Sequence, residues 1–219
     1  MSDLARREAA DTLAEPVLDW EAFARAPLQT EPFPYLVVPG FVPAGLAAAA
    51  GAAFPGPDLP GVLPAPATAP DDAFGRVLRA LRDPDTTEAF GEKFGLALES
   101  DTLMITLRAR TRAVDGRIHT DSETKVVTAL LYLNDGWAEA GGQLRLLRGP
   151  DDIEDMIAEV PPLAGTLLAF RRTPHSWHGH KPFEGTRKAI MFNWMVDATT
   201  ARRELRRHAV SASLKHLFG

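Results

Sequence analysis

The chain has 219 residues, enough to bury a substantial core, and its 45% hydrophobic and 24% charged residues are ordinary globular proportions. A net charge of -5 gives no broad reason to expect nucleic acid as a partner, and the absence of cysteine excludes disulfides and thiolate metal sites. No run of about 18 apolar residues occurs, and the polar stretch from Met1 to Glu8 leads into no apolar segment, so no membrane span and a soluble cytoplasmic protein are expected.

Residues 1–54 read as helical with one interruption. Asp19 is placed to cap a short helix through Trp20 and Phe23, and Phe33 to Val38 reads as a strand ending at Pro39-Gly40. Pro43 then opens an Ala-rich helix running to Phe54, where proline is tolerated in the first turn. Residues 55–70 hold six prolines, which exclude regular helix or an inner strand. A loop at the mouth of an active site is preferred for this segment, over a disordered connector. Asp71 reads as the cap of a helix whose buried stripe is Phe74, Val77, Leu78 and Leu81. Phe90 and Phe94 form an i, i+4 pair on a second helix, which Gly95 ends.

From Leu103 the pattern changes to short apolar runs separated by turn residues: Leu103 to Leu107, Val126 to Leu133, Leu144 to Leu147, Gly165 to Phe170, Trp177 to Phe183 and Lys188 to Met195. Strands spaced this way predict a sandwich or jelly roll. Arg108, Arg110 and Arg112 follow the first run, where they read as a solvated loop or as contacts to an acidic substrate. His119-Thr120-Asp121 then puts an imidazole and a carboxylate two residues apart, on one face of an extended segment, where both can bind one ion. Thr128, Leu130 and Tyr132 share a face, with the phenol at the end of an apolar wall. Asp151 to Glu159 reads as an acidic turn or short helix between strands.

His175, His178 and His180 are the candidates for a third metal ligand. Glu184-Gly185 reads as a two-residue hairpin turn that pairs Phe183 with Thr186 and His178 with Met191. On that register His178, His180, Arg187, Ala189, Met191 and Asn193 share a face, while Lys188, Ile190, Phe192 and Trp194 take the other. A guanidinium therefore points where a histidine points, and it can grip a carboxylate with two parallel bonds. Thr199 to Leu217 reads as a terminal helix, with five Arg/Lys against one acid over 198–219, interpreted as a solvated basic face rather than a docking patch.

Taken together, His119-Thr120-Asp121, Tyr132-Leu133-Asn134, Gly141-Gly142-Gln143-Leu144, His178 with Pro182, and Arg187 resemble the prolyl-hydroxylase-like branch of the Fe(II)/2-oxoglutarate dioxygenases in order and spacing. The resemblance implies that Fe(II) is held by His119, Asp121 and His178, with His178 rather than His175 as the distal ligand. It also implies that Arg187 and Tyr132 hold the far carboxylate of 2-oxoglutarate while Leu144 lines its methylenes. His180 stands where relatives usually carry an aliphatic residue, and reads as an imidazole supporting the site or as a direct co-substrate contact. The strand from Leu103 lacks a tyrosine that some relatives carry, so the substrate wall is expected to differ.

The implied fold is mainly β with flanking helices: a double-stranded β-helix (jelly roll) core over 101–197, mostly helical support over 1–100 and a C-terminal helix over 198–219, in a single domain. The implied reaction is hydroxylation of a C–H bond, with 2-oxoglutarate and O2 consumed and succinate and CO2 released, and with ascorbate as an accessory cofactor. A peptide or protein side chain is preferred as substrate over a free amino acid or other small metabolite. The rival readings are a catalytically silent jelly-roll module and a zinc hydrolase.

Overall fold

The computed structural model describes residues 16–56 and 61–218, with side chains through residue 210. The helical reading of residues 1–15 and the prolines at 57 and 60 lie outside the described residues. Among the described residues no helix is long and apolar enough to cross a membrane.

Local signals set most of the first half. Asp19 accepts a hydrogen bond from the Ala22 N–H and opens α1 (Trp20–Arg25). Strand β1 (Tyr35–Val38) follows, and α2 (Ala44–Ala52) begins directly after Pro43. The Pro-rich segment adds only β2 (Leu63–Pro64), an edge strand, where the missing N–H of Pro64 is tolerated. Helix α3 (Ala73–Arg82) is capped by Asp72, which accepts from Gly75 N at 2.8 Å, one residue later than the expected Asp71. Asp71 instead faces Arg79 across an exposed 3.9 Å ion pair. Helix α4 (Pro84–Phe94) starts on proline and stops where Gly95 adopts a φ of 64°, a left-handed conformation that costs glycine little.

After a short 3-10 turn at Ser100–Thr102 come β3 (Leu103–Thr111), β4 (Lys125–Tyr132), β5 (Leu144–Leu147), β6 (Met156–Val160), β7 (Leu167–Arg171), β8 (His178–Gly179) and β9 (Gly185–Met195), then α5 (Ala198–Phe218). A six-stranded antiparallel sheet runs in the order β1-β7-β4-β9-β3-β2, and a three-stranded sheet runs β6-β5-β8. The two sheets form the open sandwich of a jelly roll. Alternation along the strands builds its layers. Val127, Ala129 and Leu131 of β4, with Ile190, Phe192 and Trp194 of β9, pack under the helices with Phe23, Phe74 and Phe90. Leu130, Tyr132, Leu168 and Phe170 face the other way and meet Leu144, Leu146 and Val160 of the small sheet.

Two expectations fail here. The segment read as an acidic turn or helix contains β6, which pairs with β5 as its outer neighbour. Acidic residues hide the strand in the sequence because Glu159 lies opposite Arg145 and is ion-paired with it across the sheet. The hairpin through Glu184-Gly185 is absent as well. His178 pairs with Leu146 of the small sheet, while Met191 pairs with Thr106 and Leu130 of the large one. Residues 181–184 cross between the sheets: Gly142 N donates to Lys181 O, and Phe183 packs on Trp137 at 4.7 Å. The facing pattern derived for β9 nevertheless holds, because alternation along one strand does not depend on its partner.

Phe90 is fully buried, with its ring 4.7 Å from Phe23, 4.8 Å from Trp194 and 5.5 Å from Phe192, so it ties α4 and α1 to the back of the large sheet. Phe90→Ala is expected to lower unfolding stability by about 3–5 kcal/mol, the usual cost of deleting a buried phenyl group. Urea denaturation checks this, and a loss below about 1 kcal/mol would mean that the helical layer is not anchored there.

Candidate active site

The ligand-type side chains come from both sheets. His119 lies in the loop after β3 and forms an isolated antiparallel bridge with His178 of β8, its N–H donating to His178 O at 3.0 Å and its carbonyl accepting from His178 N at 2.9 Å. Asp121 is in the irregular segment before β4. The same-face placement of His119 and Asp121 is thus reached by an extended loop rather than by a regular strand. Ligand atoms of His119, Asp121 and His178 all lie within 4.8 Å of one another, so one ion can touch all three. His175 is exposed.

Each imidazole has its tautomer set by a carbonyl. His119 Nδ1 lies 2.8 Å from Arg117 O, and His178 Nδ1 lies 2.9 Å from Ser176 O. A carbonyl only accepts, so Nδ1 of each ring carries a proton and Nε2 is the atom left to face a metal. Burial pushes His178 down to about 4, against the pull of Asp121, and keeps it neutral and ligand-ready at ordinary pH. Burial raises Asp121, but Lys125 and His178, with hydrogen bonds from Lys125 and Thr128, outweigh it and bring the carboxyl to about 2. Lys125 Nζ donates to Oδ1 at 2.8 Å and Thr128 Oγ1 to Oδ2 at 2.6 Å, which also fixes the carboxylate plane.

A second cluster lies deeper. Arg187 is 3% exposed and Tyr132 is fully buried. Arg187 Nε donates to Gly142 O at 2.7 Å and Nη2 to the Tyr132 hydroxyl at 3.2 Å, with the guanidinium carbon 5.1 Å from the Tyr132 ring centre. Burial raises the Tyr132 phenol against the influence of Arg187, so it stays protonated and able to donate. Gly142 has a φ of 85°, and a Cβ there would come 2.7 Å from the Trp137 ring, which accounts for glycine where the backbone carbonyl meets Arg187.

The three ligand-type side chains and Arg187 line one cavity of about 360 Å³, near the lower end for small-molecule sites, with Tyr132 behind Arg187. Leu144 lines the cavity from β5, and Met191 and Asn193 line it from β9. His180 lines it too. Its Nδ1 lies 2.8 Å from Lys181 O, and a Cβ at Gly116 would overlap its ring, so glycine there leaves room for the imidazole. Burial, then the charges of Arg187 and Arg108, push His180 down to about 4, so it is a neutral group.

The sequence reading missed several contributors. Lys125 stands four residues after Asp121, a spacing that offered a signal, and Thr128 already shared the face of Leu130 and Tyr132. Arg172, whose Nε donates to Asp121 O at 3.2 Å, gave none, since 51 residues separate the two. Glu204, Arg207 and His208 of α5 also line the cavity, so the terminal helix is not merely a solvated basic face. Val62 of the Pro-rich segment lines the cavity.

Residues 108–196 match the family described as the 2OG-Fe(II) oxygenase superfamily. Among solved structures, a prolyl-4-hydroxylase of Pseudomonas putida is 23% identical with a TM-score of 0.57, over 80% of this chain and 90% of that one. Prolyl 4-hydroxylases from Phytophthora capsici give 21% and 0.53, over 73% of this chain and 57% of that one. HygX from Streptomyces hygroscopicus, with nickel and 2-oxoglutarate bound, gives 16% and 0.50, over 74% and 81%. At these identities the likeness is one of fold. No curated protein matches the sequence.

If the three clustered groups hold one ion, His178→Ala is expected to abolish stoichiometric metal retention while His175→Ala leaves it intact, as read by metal analysis after anaerobic loading with Fe(II) and gel filtration. Loss of iron in His175→Ala with retention in His178→Ala would contradict the geometry.

Proposed function

We propose that this chain, whose residues 108–196 match the 2OG-Fe(II) oxygenase superfamily, is an Fe(II)- and 2-oxoglutarate-dependent dioxygenase that hydroxylates a C–H bond in a side chain of a peptide or protein. The observation that carries the reading is the pairing, inside one cavity, of a two-imidazole, one-carboxylate cluster with a buried guanidinium that is itself hydrogen-bonded to the buried phenol of Tyr132. A structural metal site requires only the first of these. The restricted cavity volume supports a free amino acid or other small metabolite as the alternative substrate.

The donor set fits the metal. Two imidazoles presenting Nε2 and one ionised carboxylate match the facial triad of non-haem Fe(II) oxygenases. When bound, Fe(II) and 2-oxoglutarate supply the oxidising chemistry that consumes O2, releases succinate and CO2 and places one oxygen atom on a carbon of the substrate. The protein's part is to position and to exclude water. Lys125 and Thr128 hold the Asp121 carboxylate ionised and in one plane, while Arg117 O and Ser176 O orient the two imidazoles. In this reading Arg187 and Tyr132 bind the far carboxylate of 2-oxoglutarate, with the guanidinium held in place by Gly142 O and the phenol donating its free proton. Leu144 packs against the methylenes, Leu130 and Phe170 keep the wall apolar, and His180 flanks the same end as a neutral imidazole. Ascorbate is an auxiliary in this reading, with no residue assigned to it.

Arg187→Ala is expected to weaken 2-oxoglutarate binding by roughly 10- to 150-fold, the equivalent of about 1.5–3 kcal/mol for a lost hydrogen bond to a charged group, with metal content nearly unchanged. Tyr132→Phe should act in the same direction more mildly. Calorimetric titration of the metal-loaded protein measures both, and unchanged affinity in the two variants would remove the clamp.

A further inference from the structure

Among the described residues, four buried side-chain nitrogen or oxygen atoms have no hydrogen-bond partner, and three of them, Thr106 Oγ1, Arg108 Nε and Asn193 Oδ1, belong to residues lining this one cavity. Thr106 and Asn193 are each 1% exposed. Buried polar groups without partners are costly and rare, so three converging on one space mark where a ligand supplies the partners.

Register divides the cavity floor in two. On one side of β9, Asn193 lies opposite Thr128 and Ala189 opposite Tyr132, so this half carries the threonine that holds Asp121 and the phenol that holds Arg187. On the other side, Asn193 lies opposite Met104, Met191 opposite Thr106 and Ala189 opposite Arg108. Arg187 turns its Nε and Nη2 toward Gly142 and Tyr132, into the first half. The β3 half is left without a role by the co-substrate reading.

Charge makes the β3 half specific. Four cationic side chains among the described residues line the cavity. Lys125 is bonded to Asp121, Arg187 to Tyr132 and Gly142, and Arg207 is ion-paired with Glu204 at 2.7 Å. The Arg108 side chain makes no hydrogen bond among the described residues. Its ion pair with Asp115 is long, at 3.8 Å from Nη1, and both Asp115 oxygens also accept hydrogen bonds from Arg112, through its backbone N–H and its guanidinium. Arg110 and Arg112 do not line the cavity, so of the three arginines near the first strand only Arg108 is turned to the site.

We propose that the β3 half binds the substrate and that the substrate bears a carboxylate, gripped by Arg108, together with an N–H or O–H donor turned to Asn193 Oδ1. Met104 and Met191 pack on its carbon frame, and Thr106 hydroxyl serves the polar groups between. This rests on the reading of the cavity as an Fe(II)/2-oxoglutarate site. The carboxylate can come from a free small acid, such as an amino acid, or from an acidic residue of a peptide.

The test reads binding first, as the melting temperature of Mn(II)- and 2-oxoglutarate-loaded enzyme. The probes are free amino acids, short carboxylic acids and capped Asp- or Glu-containing peptides, each paired with its carboxamide. At least one acid should stabilise the enzyme while its carboxamide does not. Arg108→Met should weaken that binding by at least about 10-fold, with 2-oxoglutarate affinity held within about twofold. Arg108→Lys should recover part of the loss, and Asn193→Leu should weaken binding as well. Stabilisation confined to free acids, or confined to acidic peptides, identifies the source and supports the proposal either way. Three outcomes overturn it: no probe binding in an Arg108-dependent manner, carboxamides binding as well as acids, or Arg108→Met losing 2-oxoglutarate instead, which would make Arg108 part of the co-substrate clamp. Arg108-dependent binding without succinate formation in Fe(II)-loaded enzyme would count against the dioxygenase reading while keeping the anchor.

Discussion

The site depends on two reciprocal main-chain hydrogen bonds, His119 N to His178 O and His178 N to His119 O. They join the irregular segment after β3 to a two-residue strand of the small sheet, and they fix which way both side chains point. Because side chains alternate along extended backbone, a slip of one residue in this pairing would turn an imidazole out of the cavity. The imidazole rings lie 4.3 Å apart as a result, close enough for one ion to bridge them. Phe170 of the large sheet packs on the His178 ring at 4.8 Å, so the bridge is also braced from the core.

The remaining parts are arranged around that bridge by charge and by layer. Asp121 would be expensive to bury alone, and the arrangement offsets this with Lys125, Thr128 and the nearby imidazole, which is why the carboxyl stays ionised despite its burial. The small sheet contributes His178 and Leu144, with His180 directly after β8, while the large sheet contributes Arg187, Thr128 and the β3 residues, with Tyr132 behind Arg187. Neither sheet holds a complete site. The helical layer packs on the opposite face of the large sheet, leaving the cavity face free for polar groups. On that face Asn134 accepts from Lys188 N and donates to the carbonyls of Pro162 and Lys188, locking the end of β4 against β9 so that Tyr132 and Arg187 meet.

What the sequence made legible was whatever follows from local periodicity or from ordered motifs. The strand at Leu144–Leu147, the stripe of α3, the glycine stop after α4 and the two faces of β9 are all local in this sense. The triad residues were named by motif order, and the structure brings His119, Asp121 and His178 together. Pairing between distant segments was not legible. A two-residue turn at Glu184-Gly185 gave a hairpin, but β8 lies in the small sheet and β9 in the large one, and residues 181–184 are used to cross. Strand β6 was hidden because Arg145 turns Glu154 and Glu159 into structural partners, so acidic residues no longer mark a solvated turn. The cavity wall from α5 was invisible for the same reason of distance, since nothing in a basic helix says which of its residues will meet β3 and β9.

Succinate formation by the purified protein, measured with Fe(II), 2-oxoglutarate and air, tests the central claim most directly. The account predicts time-dependent succinate that requires both Fe(II) and O2 and is lost in Asp121→Ala. Absence of succinate from the Fe(II)-loaded protein across a broad panel of amino acids, acids and peptides, or succinate formed equally well by Asp121→Ala, would contradict it.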